Sequence, residues 1–165
     1  MNTRKVNAKQ CKMVAHRGCS GLEKENTLAA FIAAGNRSYW GVETDVHRTA
    51  DGEYVVIHDS ETGRVAGDNI VIENTSFEYI RSLRLKDIDG TRTRADLRIP
   101  TLREYIAICK KYEKNCVLEF KTVYTLEQVA EMVEIIKEEG WLEHVVFISF
   151  AYDNLLNLRK ILPGH

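Results

Sequence analysis

Three short stretches of the chain carry residue types that bind metal, move protons or neutralise phosphate: His16-Arg17-Gly18, Glu43-Thr44-Asp45 and Glu119-Phe120-Lys121. Each closes an apolar run that reads as a strand. Side chains on a strand alternate between faces, so Glu43 shares a face with Asp45, and Glu119 with Lys121. One face therefore gathers three carboxylates and a lysine. Carboxylates crowded without a cation repel one another and raise one another's pKa, and a hard divalent ion relieves this by taking their oxygens as ligands. The chemistry these groups point to is cleavage of a phosphate ester.

Each candidate also has a plainer reading. Glu43 and Asp45 alone fit a solvated strand edge, but Glu119 lies within Val117-Leu118-Phe120, where a surface carboxylate is hard to place. Lys121 serves either as a phosphate contact or as an ion-pair partner for Glu43. Asp59 either orients a histidine or makes a turn, and His47 reads as structural or exposed. Arg92, Arg94 and Arg98 read as a solvated loop rather than an anion receptor.

The elements that position these residues alternate along the chain. Met13 to Ala15 forms a short strand, and Asn26 or Thr27 caps a helix through Leu28, Phe31 and Ile32 that stops at Gly35. Tyr39 to Val46 is the second strand, and Asp51-Gly52 suits a tight hairpin before Tyr54 to Ile57. His58 and Asp59 end that arm. Residues 60–98 have weak periodicity, broken by Gly63, Gly67 and Gly90, with one helix expected from Ser76 to Leu85; they read as an insertion over the site. Helices then follow from Leu102 to Tyr112, Leu126 to Glu139 and Asn154 to Leu162, interleaved with strands Val117 to Lys121 and Val145 to Phe150. Strands alternating with helices imply an α/β fold with a parallel sheet, whose chemistry sits where strands run into the loops that follow.

Bulk properties mainly exclude alternatives. With 23 basic against 24 acidic residues, the net charge of -1 offers no field for nucleic acid or an anionic bilayer. The length of 165 residues and 44% hydrophobic content suit one domain with a real core. Residues 1–11 form a polar tail without an apolar signal region, and no apolar run is long enough to insert stably in a membrane, so a cytoplasmic protein is expected. Cys11, Cys19, Cys109 and Cys116 lack paired spacing and read as reduced thiols.

Taken in order, His16-Arg17-Gly18, Glu25-Asn26-Thr27, Glu43-Thr44-Asp45, His58-Asp59 and Glu119-Phe120-Lys121 resemble the glycerophosphodiester phosphodiesterase family, over roughly residues 12–163. The resemblance implies a TIM-barrel type of α/β fold (a PLC-like phosphodiesterase barrel) with a small insertion after the hairpin arm, here residues 60–98. It implies an enzyme, a phosphoric diester hydrolase that converts small-molecule glycerophosphodiesters to an alcohol and glycerol 3-phosphate. It implies Glu43, Asp45 and Glu119 as ligands of Ca2+ or Mg2+, with Arg17 and Lys121 near the substrate phosphate and His16 and His58 as the acid and base pair. Glu25 is expected to support the site rather than to ligate.

Two departures stand out. Lys24 stands where a proline is common, which touches loop stiffness more than chemistry. The sequence also ends after four strand–helix units, as residues 12–165 of a partial barrel, whereas a closed barrel has eight and about 250 residues. The first and last strands are then open edges that invite a homo-oligomer. An inactive truncated barrel, or a module that binds metal and phosphate without turnover, is the alternative to a working hydrolase.

Overall fold

The computed structural model describes residues 9–165, so most of the polar tail assigned to residues 1–11 lies outside the described residues. Among the described residues, five strands, β1 (Val14–Ala15), β2 (Gly41–Arg48), β3 (Tyr54–Val56), β4 (Asn115–Phe120) and β5 (Val145–Ser149), are interleaved with five α-helices. The helices are α1 (Leu28–Gly35), α2 (Phe77–Ser82), α3 (Leu102–Lys111), α4 (Leu126–Glu138) and α5 (Tyr152–Ile161). Four strands are parallel in the order β1-β2-β4-β5, and β3 folds back antiparallel on β2. β1 pairs with the start of β2 and β3 with its end, while β4 takes the opposite edge. β2 is thus the central strand, and its first seven residues are all buried.

The helices form where local sequence favours them. Thr27, Thr101 and Thr125 each accept a hydrogen bond from a backbone N–H of the first turn, and Glu104 and Gln128 complete reciprocal capping boxes. Their apolar faces cover one side of the sheet. Phe31, Leu102, Tyr105, Ile106, Leu118, Phe120, Met132 and Ile136 are almost fully buried there. Tyr105 satisfies its hydroxyl within this core by donating to the Val42 carbonyl at 2.6 Å. This layer fixes the sheet, and the sheet fixes the site.

Residues 60–98 carry a second, smaller core of their own. Val65, Ile72, Ile80, Leu83, Leu85 and Leu97, with Ile99 just after the segment, close over Val55 and Ile57 from the hairpin arm. The helix expected from Ser76 to Leu85 is shorter, Phe77–Ser82, because Leu83 turns to extended backbone (φ −64°, ψ 136°). That turn lets Leu85 donate to the Leu97 carbonyl and bury its side chain. Packing here overrides helical propensity.

β1 and β5 remain the sheet's outer strands. Val146 and Ile148, in register with Val117 and Glu119 on the face away from the helices, are 43% and 37% exposed. Among the described residues, no helix is long and apolar enough to cross a membrane.

Candidate active site

Register brings the acidic residues together. Asp45 lies directly opposite Glu119 in the β2–β4 ladder, and Glu43 opposite Val117, so all three carboxylates emerge on one face near the strand ends. All three are buried, and one oxygen from each lies within 4.8 Å of the others. Oxygens sharing a calcium or magnesium ion at about 2.0–2.6 Å are at most about 5 Å apart, so the spacing fits one cation.

The electrostatics also fit. Burial pushes the Glu43 carboxyl up to about 7, and the neighbouring charges of Asp45 and Glu119 add to the rise, against the lowering effect of the hydrogen bond from the Arg17 backbone. Asp45 Oδ1 is buried and accepts no hydrogen bond, although Lys121 Nζ faces it at 3.5 Å. A buried acceptor without a donor, among three carboxylates, is what a bound cation would satisfy. Lys121 Nζ also donates to Glu119 Oε1 at 3.0 Å. The alternative pairing of Lys121 with Glu43 is replaced by these two contacts, to Glu119 and to Asp45, made from the position directly after β4.

The loop after β1 is built to approach this cluster. Arg17 and Gly18 both have positive φ, 55° and 75°. A Cβ at Gly18 would lie 2.7 Å from the Ala30 backbone, so the loop packs onto α1 only with glycine there. The reversed backbone points the Arg17 N–H at Glu43 Oε2, 2.8 Å away, and sets the Arg17 guanidinium Nε 3.6 Å from Asp45 Oδ2. His16 is largely exposed, with Nε2 3.9 Å from Glu43 Oε2.

His58 enters from the hairpin arm. The Ile57 N–H bonds to the Asp45 carbonyl, which brings the arm's end to the end of β2. His58 Nδ1 meets Asp59 Oδ1 at 2.6 Å. Asp59 thus orients the histidine, deciding between the two readings left open for it. Arg64, Asp59's strongest partner, holds its carboxyl down at about 2; burial opposes the shift and His58 adds to it. An ionised carboxylate only accepts, so Nδ1 is the donor in this contact, which leaves Nε2 as the ring's other nitrogen for the site. His47 is buried rather than exposed, with Nε2 3.3 Å from the His58 carbonyl.

Glu25 does not reach the carboxylate cluster; it pairs with Arg17 Nη1 at 3.1 Å and receives both terminal nitrogens of Arg64 at 2.8 Å. Two residues the sequence reading did not single out for the site hold it in place. Asn26, buried with φ 52°, donates to Asp45 Oδ2 at 2.8 Å and accepts from the Thr44 hydroxyl at 2.8 Å. The signal available was asparagine's tolerance of positive φ beside a helix cap. Arg64, in the insertion, left no signal in periodicity or spacing. Arg94 is also no free loop residue, since it pairs with Glu23, Asp87 and Asp96.

The model of the glycerophosphoryl diester phosphodiesterase family matches residues 16–164. The chain belongs to this family. It is 32% identical over 153 residues to a glycerophosphodiester phosphodiesterase of Caldanaerobacter subterraneus subsp. tengcongensis, covering 92% of this chain and 63% of that protein. Among solved structures, it is similar to an Oleispira antarctica phosphodiesterase in complex with the product sn-glycerol-3-phosphate (30% identity, TM-score 0.82, 93% of this chain, 63% of that one). A glycerophosphodiester phosphodiesterase of Thermotoga maritima matches at 29% identity and a TM-score of 0.70, over 88% of this chain and 57% of that one. The fold is therefore the family's, of TIM-barrel type, and the chain spans less than two thirds of the length of these relatives.

Proposed function

We propose that this chain hydrolyses glycerophosphodiesters to an alcohol and glycerol 3-phosphate, with Glu43, Asp45 and Glu119 holding one divalent ion, calcium or magnesium. The observation that carries the reading is the convergence of three buried carboxylates, among them that of Asp45, whose Oδ1 accepts no hydrogen bond, flanked by Arg17 and Lys121. A divalent ion held there supplies positive charge at the non-bridging phosphate oxygens. Arg17 and Lys121 add to that charge from either side and orient the phosphate. His58, with Nδ1 tied to Asp59, uses its Nε2 to take a proton from the water whose oxygen bonds to phosphorus as the bond to the leaving alcohol breaks. His16, exposed on the opposite loop, donates a proton to the departing alkoxide, which leaves as the alcohol. The relative solved with sn-glycerol-3-phosphate supports this product class.

The cytoplasm suits the four free thiols, three of them buried. The open, apolar side of β5 supports association between copies of the chain.

The test is release of glycerol 3-phosphate from glycerophosphocholine by the purified 165-residue chain. Turnover that requires a divalent ion and falls at least about a hundredfold in His16→Ala is expected. A folded, metal-loaded chain that releases nothing would overturn the reading in favour of a module that binds metal and phosphate without turnover.

A further inference from the structure

Two arginines of the inserted segment grip the loop that follows β1. Arg94 reaches Glu23, and Arg64 reaches Glu25. Only the second continues into the site. Arg64 donates both terminal nitrogens to Glu25, at 2.8 Å each, and its Nε to Asp59 Oδ2 at 2.6 Å. All three of its nitrogens are thereby engaged, on two carboxylates that belong to different loops. Each carboxylate has one further partner. Glu25 Oε1 accepts from Arg17 Nη1 at 3.1 Å, and Asp59 Oδ1 accepts from His58 Nδ1 at 2.6 Å. One guanidinium thus joins the proposed phosphate arginine to the proposed base through two carboxylates.

We infer that Arg64 is a positioning residue, which fixes the Arg17 guanidinium through Glu25 and the His58 tautomer through Asp59. The inference rests on the proposed hydrolysis for its catalytic meaning, but the contacts stand without it. A planar guanidinium that binds one carboxylate with two nitrogens sets that carboxylate's direction as well as its charge. Without Arg64, Glu25 would be free to swing with Arg17, and Asp59 free to rotate away from Nδ1. Both Glu25 and Asp59 are held at about 2, with the hydrogen bond from Arg64 the largest cause in each case. They therefore stay ionised acceptors throughout the neutral range. The insertion, whose own core seats Arg64, becomes part of the machinery rather than a cover over it.

Three variants of the full chain test the inference, with two readings that do not require turnover. Binding of sn-glycerol 3-phosphate, in the presence of the divalent ion, reports Arg17. The nitrogen-15 shifts of the His58 ring report its tautomer at a pH where the ring is neutral. Arg64→Ala is expected to weaken glycerol 3-phosphate binding about tenfold and to turn a predominantly Nδ1-protonated ring into a mixture of tautomers. Arg64→Lys, which keeps the charge but loses the fork, is expected to fall between Arg64→Ala and the unaltered chain. Arg94→Ala, which loosens the same insertion without touching Glu25 or Asp59, is expected to change neither reading more than about twofold. Arg64→Ala with unchanged affinity and tautomer, or Arg94→Ala with equal losses, would overturn the inference. If Arg64→Ala loses its native circular dichroism, Arg64→Lys decides by the same readings. An unaltered chain that shows no turnover yet gives this pattern would defeat the proposed hydrolysis alone.

Discussion

Asp45 has two oxygens in different situations. Oδ2 accepts from Asn26, whereas Oδ1 is buried beside Lys121 without a hydrogen bond. Replacing this carboxylate removes a charge from a crowded group and a ligand from the candidate metal site. Asp45→Asn is therefore expected to melt no lower than the unaltered chain without metal, and to lose the rise in Tm that calcium or magnesium gives the unaltered chain. Calorimetry with and without the ion checks both. Asn26 makes the opposite case, since it has no chemistry of its own but bonds both Asp45 and Thr44 from a left-handed backbone. Asn26→Ala removes two buried hydrogen bonds and puts alanine at φ 52°, an expected loss of about 2–4 kcal/mol in urea unfolding. The carboxylates were legible because strand alternation is local. Asn26 stood in a motif and beside a helix cap, but its bonds to Asp45 and Thr44 were not legible, because those partners lie 19 and 18 positions away and only folding shows what it faces.

Among the elements, the insertion and the loop after β1 are joined by charge, and that joint has a pH dependence of known sign. Glu25 and Asp59 sit at about 2 in the folded chain, and ordinary carboxyls titrate near 4 when unfolded. A folded pKa below the unfolded one gives stability that is complete above the unfolded value and is lost as pH falls through the folded one. The contribution of Arg64 is thus intact above about pH 5 and disappears between about pH 4 and pH 2. Arg64 is 45% exposed, so solvent screening keeps the effect modest. The Tm of Arg64→Gln is expected to fall less steeply over that window than that of the unaltered chain; parallel curves would refute the link. The sequence pattern placed the strands and helices of the sheet within a few residues. It overextended α2, because Leu83 and Leu85 follow the shape of the second core rather than a helical repeat.

At the scale of the whole molecule, the sheet has apolar side chains on an uncovered face. Val146 and Ile148 continue the surface on which Glu119 lies, and Phe150, just beyond β5, is 95% exposed. Burying such side chains gives about 1.5–3 kcal/mol each, enough to favour association at modest concentration. Sedimentation of the purified chain is expected to show a mass that rises with concentration, and Ile148→Lys is expected to shift it toward the monomer. A monomer at all concentrations would remove open edges as an interface.

By itself, the sequence determined the kind of fold and the groups able to do chemistry. Alternation along a strand and periodicity along a helix are properties of the backbone, so Glu43 with Asp45, and Glu119 with Lys121, could be assigned to shared faces without coordinates. Only the tertiary structure decided that Asp45 stands opposite Glu119, that Asn26 holds Asp45, and that Arg64 ties the two loops together. Those choices depend on the register between strands and on where an irregular segment closes its own core, and both are set by packing between residues far apart in the chain.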